Sequence, residues 1–495
     1  MTGSPDAMLK VAFRHGPPDA ALPVVVPVAE VPSELATAAA AAGFRAEPGQ
    51  VLEPAAAPRR LLAGIGARRR LDLETAGVAA AARLGGATRA VLDARGLGAE
   101  EAAWAAAGVA LGAWRFDRHR TRDAEPALSR LTVLVEDTGA AKAEWESAEA
   151  VVRGCLFARE LVAEPANHLT TRSFTKRLEG RTDYGIRVEV LGRKRLAREG
   201  FGALLAVGAA SSTPPRLVVL RWSGSFAAQP VAFVGKGIVF DTGGVSIKPA
   251  QGMEAMRADM AGAAACAGAM LVLALRRSPA PVVAVLALAE NAIGAESYRP
   301  SDVLRTLSGR TVEVVDTDAE GRLVLADALH HAASAFRPRA MVDLATLTGS
   351  IISALGHHRA GLFGNDEALM ASLAAAGEAV GEPLWPMPIG EAHRADLASD
   401  IADLRQCVPS ARGEGGWAAR FVPDACHAAA FLREFAGEAP WAHLDIAGVD
   451  TAEEAHPLGP AGPTGFGVRL LDALVAMRFE EPEHHEPVAR PRHGH

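Results

Sequence analysis

A chain of 495 residues exceeds one ordinary domain, and a prior of roughly 100 to 200 residues per domain points to two or three. With 49% hydrophobic and 22% charged residues it is a folded globular protein, and a net charge of -7 sets its field against phosphate backbones, which argues against nucleic acid as a partner. Four cysteines, Cys155, Cys266, Cys407 and Cys426, lie far apart with no C-x-x-C spacing, so they read as reduced, mostly buried thiols and not as a disulfide framework.

The opening "MTGSPDAMLKVAFRHGPPDAALPVVVPVAE" has no basic stretch followed by an apolar run of signal length. The longest uncharged run, Met260 to Leu275, falls short of the roughly 20 residues a membrane helix needs. Both features predict a cytoplasmic enzyme with no membrane partner. Residues 1–150 mix strand-like runs ("LPVVVPVA", "RAVLDA", "RLTVLVED") with Ala-rich helical stretches and hold no cluster of metal-binding or nucleophilic side chains. They predict a non-catalytic α/β domain. From Ala140 to Leu161 the apolar positions follow helical spacing and stop before Pro165, which predicts a connecting helix and a domain boundary near residue 150.

Across 151–480, "RLVVLRW", "PVAFVG", "PVVAVLALAEN", "TVEVVD", "AMVDLATL" and "WAHLDIAG" alternate with stretches long enough for helices. The fold class predicted is α/β and bilobal, with a larger catalytic domain built on a mixed sheet covered by helices. In such sheets ligands gather at the carboxyl ends of strands. The tail 481–495, rich in Pro and charge, reads as disordered, and its His484, His485, His493 and His495 have no packed surroundings in which to form a designed metal site.

The stretch "VDTDAEGRLVLADAL" (315–329) imitates an EF-hand loop, with oxygen side chains at positions 1, 3, 5 and 12 counted from Asp316 and Gly321 at position 6. An EF-hand needs a helix on both sides, whereas "GRTVEVVD" alternates like a strand, so the loop reads as a strand-to-helix turn. If the chain stays extended there, Asp318 and Glu320 project to one side. Taken alone, the pair also fits a solvated acidic turn with Asp318 as a helix cap. A second group shifts that balance: "VGKGIVFDTGGVSIKPAQGMEAMRADMAGAAA" carries Lys236, Asp241, Lys248 and Asp259 around a Gly-rich turn, beside strand sequence that must be buried.

At these residues the chain resembles the leucyl aminopeptidases, the cytosol aminopeptidase family of dinuclear metallopeptidases. The family signature N-T-D-A-E-G-R-L is matched from Asp316 to Leu323, with Asp in place of the first Asn. Further similar stretches are "LVAEPANHLT", "VGKGIVFDTGGVSIKP", "AENAIG", "DLATLTG" and "WAHLDIAG", in order along residues 150–475. The resemblance implies metal ligands at Lys236, Asp241, Asp259, Asp318 and Glu320, a catalytic pair at Lys248 and Arg322, and a side-chain pocket lined by Met256, Thr346 and Gly349. It also implies two divalent cations per chain, a bicarbonate at Arg322, peptide substrates and a homohexamer. One further departure is His427, where the family usually carries Ser or Thr.

The chemistry suits those residue types. Two divalent ions can ionise a bridging water and polarise a carbonyl, and four carboxylates balance their charge. That balance needs Lys236 as a neutral amine, while Lys248 stays protonated to meet the oxyanion. A ligand set without histidine leans to Mn or Mg alongside Zn. The expected reaction is release of N-terminal residues, Leu- or Met-like by preference, with a dinuclear phosphoesterase as the competing enzyme class.

Overall fold

The computed structural model describes residues 8–55, 59–121, 126–409 and 422–481, so the His-rich tail lies outside the described residues. The first half builds a six-stranded sheet that is parallel apart from the two-residue edge strand Val51–Leu52. The three strands expected there form as Val24–Val28, Arg89–Asp93 and Arg130–Leu134. Lys10–Arg14 and Arg60–Gly64 join them; each carries Arg or Lys at its end, which blurs the apolar run in sequence.

The expected connecting helix is longer than its periodic stretch, running Thr138–Ala163, because the Asp137 carboxylate caps it by accepting from the Gly139 and Ala140 amides. Two buried arginines tie the halves together. Arg159 on this helix donates to the carbonyls of Leu111, Leu458 and Thr464. Arg469, on the C-terminal helix Val468–Arg478, holds Glu74 through two bonds of 2.9 and 2.6 Å. A buried ion pair is costly to break from one side, so these contacts weld the two sheets' layers into one body.

The second half is an eight-stranded mixed sheet in the order Leu384–Pro386, Ala360–Gly364, Trp441–Asp445, Ala340–Ala345, Val231–Asp241, Val282–Asn291, Arg216–Trp222, Arg187–Leu191. Its four middle strands, from Trp441–Asp445 to Val282–Asn291, run parallel, so their carboxyl ends open on one side. These strands are buried on both faces, as their unbroken Val, Ile, Leu and Ala runs require. The run "TVEVVD" does not enter this sheet; Thr311–Glu313 belongs to a separate three-stranded sheet with Val303–Arg305 and Leu404–Arg405.

Helix Ala261–Leu275 lies against the middle strands and is almost wholly buried. Its small residues permit that approach: a Cβ on Gly262 would stand 2.0 Å from the Leu344 carbonyl oxygen. Among the described residues, Met253–Leu275 is the one segment long and apolar enough to cross a membrane, and 94% of that window is buried inside the protein, as a core helix would be.

Candidate metal centre

The sheet brings the sequence-selected residues to the carboxyl ends of its middle strands. Lys236 sits within Val231–Asp241, Asp241 closes that strand, and Asn291 closes its parallel neighbour opposite Asp241 in the register. Asp259 ends the short 3-10 helix Met253–Ala258. Glu320 opens helix Glu320–Phe336, and Asp318 lies in the turn before it.

Ligand atoms of Asp241, Asp259 and Glu320 all lie within 4.8 Å of one another, and all three carboxylates are buried. Lys236 Nζ reaches Asp259 Oδ1 at 2.6 Å, Glu320 Oε1 at 2.9 Å and the Thr346 carbonyl at 2.9 Å. Lys248 Nζ meets Asp318 Oδ1 at 2.5 Å and Asp241 Oδ2 at 2.9 Å. Burial separates the two lysines, since the Lys236 side chain is 4% exposed and that of Lys248 20%. Asp241 is fixed by the amide of Asn291 at 2.7 Å and the Gly243 N–H at 2.9 Å.

So many acids in one buried place disfavour their own charged forms. Burial, then the neighbouring carboxylates, push Asp259 and Glu320 above their usual range against the pull of Lys236. Asp318 rises to about 7, driven by burial and by Asp241 and Glu320 while Lys248 opposes. Burial alone would lower the Lys236 ammonium, but Asp259, Glu320 and Asp241 outweigh it and hold it high. Two lysines against four carboxylates leave the site short of positive charge. Asp259 Oδ2 and Glu320 Oε2 are buried with no hydrogen-bond partner, an arrangement that costs free energy unless a cation completes it. Oxygen-rich donors gathered in a buried cluster short of positive charge fit divalent metal ions.

The packing of this cluster explains Gly321 without calcium. A Cβ there would lie 2.6 Å from Lys236 Cε and 2.8 Å from Nζ, so only glycine lets the helix start against the lysine. Asp327, the twelfth position of the imitated loop, points elsewhere and accepts from the amides of Leu204 and Leu307 at 2.9 and 2.7 Å.

Comparison with known proteins agrees with this geometry. The catalytic-domain model of the cytosol aminopeptidase family matches residues 156–472. This chain belongs to the cytosol aminopeptidase family. A probable cytosol aminopeptidase of Brucella melitensis is 44% identical over 440 residues, covering 86% of this chain and 88% of that protein. One from Gluconobacter oxydans is 44% identical over 450 residues, covering 88% and 89%. Among solved structures, a bottromycin maturation enzyme, BotP, in complex with Mn superposes with a TM-score of 0.81 at 33% identity, covering 93% of this chain and all of that one. The protein is thus a peptide hydrolase, an aminopeptidase of a metal-dependent family.

The remaining family positions are placed as follows. Thr346 lies on the cluster, its hydroxyl donating to Asp259 Oδ1 at 2.7 Å. Met256 is half-buried three residues before Asp259, and Gly349 is exposed at the start of the helix Gly349–Leu355, where an added Cβ would meet nothing within 4 Å. His427 is buried with Nε2 3.0 Å from Asp396 Oδ2. Arg322 is buried and bonds to Gln406 and Asp424.

The expected extended run through Asp318 and Glu320 is instead a turn, closed by the Ala319 N–H to the Asp316 carbonyl at 3.2 Å. The two acids therefore meet different lysines, Asp318 with Lys248 and Glu320 with Lys236. Asp318 caps no helix, because Ala319 holds that place. Asp316 Oδ1 accepts from the Asp318 N–H at 2.9 Å, a bond that an asparagine oxygen would keep. Asp316→Asn is accordingly expected to retain full metal content and change turnover by less than about 10-fold, or roughly 1.4 kcal/mol. Loss of metal measured by elemental analysis would make Asp316 a ligand.

Residue-by-residue reading of the sequence misses Gln406, which is buried and grips the signature turn. Its side chain accepts from Val315 N–H at 2.7 Å and donates to the carbonyls of Asp316 and Ala319 at 2.8 and 3.1 Å. Asn291 also escapes as a site residue, although the run "AENAIG" that contains it is a visible signal.

Proposed function

We propose that this enzyme releases N-terminal residues, preferably Leu- or Met-like, from peptides at a pair of divalent metal ions. The observation that carries this reading is the buried cluster of Asp241, Asp259 and Glu320 around Lys236, with carboxylate oxygens left unpartnered. Lys236, Asp241, Asp259, Asp318 and Glu320 are the ligands in this proposal, with Lys236 losing its proton when a divalent ion beside it outweighs the carboxylates that hold the ammonium. Bound there, two divalent ions would supply an ionised water and polarise the scissile carbonyl. The oxygen-dominated donor set favours Mn or Mg as well as Zn, and the Mn of the bottromycin maturation enzyme supports the first.

The chain's own residues do the rest. Lys248, more exposed than Lys236 and at the mouth of the cluster, presents an ammonium to the developing oxyanion. Arg322 holds an anion beside the metals, for which the resemblance offers bicarbonate. Met256, Thr346 and Gly349 line the side-chain pocket, and the open space at Gly349 suits a broad range of side chains. Residues 1–150 act as a non-catalytic domain and 151–480 as the catalytic one, in a cytoplasmic homohexamer. An amino-acid anilide panel on metal-loaded protein tests the reading. Leucyl and methionyl anilides should be cleaved fastest and a chelator should abolish cleavage; uniform rates across charged and apolar residues would remove the preference.

A further inference from the structure

A second group of metal-ligating side chains lies outside the cluster of Asp241, Asp259 and Glu320. Ligand atoms of His119, Glu164 and His168 all fall within 4.8 Å of one another. They come from three segments. His119 follows helix Ala99–Gly112 of the first half, and Glu164 ends the connecting helix Thr138–Ala163. A turn closed by the His168 N–H on the Pro165 carbonyl at 2.8 Å brings His168 back beside Glu164. The rings of His119 and His168 then lie side by side, with centroids 4.3 Å and planes 22° apart.

Glu164 anchors the group. It is 1% exposed, and its two oxygens meet different partners. Oε2 accepts from Arg118 Nη1 at 2.5 Å and from Arg177 Nη2, while Oε1 faces His119 Nε2 at 2.5 Å. Burial would raise this carboxyl, but Arg177, His119 and Arg118 outweigh it and hold it below its usual range, as an anion. Glu160, 3.3 Å from Arg118, is a second carboxylate set against the two arginines, which leaves no excess of positive charge to repel a cation. Carboxylates that bind metals are commonly held by such outer hydrogen bonds. Ligand atoms of a tetrahedral zinc ion stand roughly 3.4 Å apart, so His119 Nε2 and Glu164 Oε1 need part by only about 1 Å. Both imidazoles can turn to allow it, since the His119 side chain is 36% exposed and His168 is exposed.

We propose that His119, Glu164 and His168 bind a zinc ion that staples the first half of the chain to the second, separate from the metals of the cluster. Two imidazoles and one carboxylate suit zinc with water in the fourth place, whereas the oxygen donors of the cluster suit Mn or Mg. The staple does not depend on the reaction at the cluster.

The test dialyses wild type, His119→Ala and His168→Ala against micromolar zinc and counts zinc per chain by elemental analysis. Melting temperatures are read with and without zinc, and leucyl anilide turnover is followed in each protein. Wild type should hold one more zinc ion per chain than either variant, and zinc should raise its melting temperature more than theirs. Turnover should be unchanged in both variants. Zinc taken up by the histidine-rich tail is common to all three proteins and cancels. Equal zinc content, an equal rise in melting temperature, or loss of turnover together with the ion would overturn the proposal. If wild type cleaves no anilide, the aminopeptidase reading fails, and the zinc count and melting temperatures still decide the staple.

Discussion

Lys248→Ala is expected to lower turnover on a leucyl anilide by at least about 100-fold while two metal ions per chain remain bound, because the lost group stabilises charge in the transition state without ligating. The two lysines differ in a way that supports this division. Lys236 is walled in by Asp259, Glu320 and the Thr346 carbonyl, whereas Lys248 arrives on the loop after the Gly-rich turn and keeps part of its surface open. An open ammonium can reach a substrate oxygen; an enclosed lysine that gives up its proton beside a metal ion can only serve the cluster. Removal of one oxyanion donor typically costs about 3 to 4 kcal/mol of barrier, with little effect on ground-state binding. Metal lost from Lys248→Ala would reassign it as a ligand, and an unchanged KM with depressed kcat would support its place at the oxyanion.

Asp259→Ala should have the larger effect on the metals. Its Oδ1 accepts from Lys236 and Thr346, which leaves Oδ2 buried and unpartnered, so the residue has an oxygen in reserve for an ion. Partners outside the ligand shell already cost about 10 to 100-fold in affinity or activity when removed, and a ligand itself should cost more. Elemental analysis should then show stoichiometry falling from two ions toward one per chain. Full occupancy in Asp259→Ala would strike it from the ligand set.

The chemistry of the site is legible in sequence because its residues cluster in two short runs, 234–259 and 316–322, each joined to a strand or a helix of clear periodicity. The main strands are equally plain, since sheets buried on both faces demand unbroken apolar runs. The edge strand Leu384–Pro386 is not, having too few residues for a pattern, and its neighbour Ala360–Gly364 is broken up by two glycines. Gln406 and Asp424 escape for another reason. They meet Arg322 across 84 and 102 residues of chain, and no local spacing encodes such a contact. The turn at Asp318 reads as extended in sequence because the Asp316 side chain bonds the backbone two residues on, a local choice that composition alone does not fix.

A metal centre that binds the substrate's free amine would refuse a substrate whose N-terminus is blocked. This is tested most directly by offering metal-loaded protein three substrates: leucyl anilide, N-acetyl-leucyl anilide and a phosphate monoester. Rapid cleavage of the first is predicted, abolished by a chelator and restored by Mn or Zn, with no turnover of the other two. Hydrolysis of the acetylated anilide at a comparable rate, or faster hydrolysis of the phosphate ester, would contradict it.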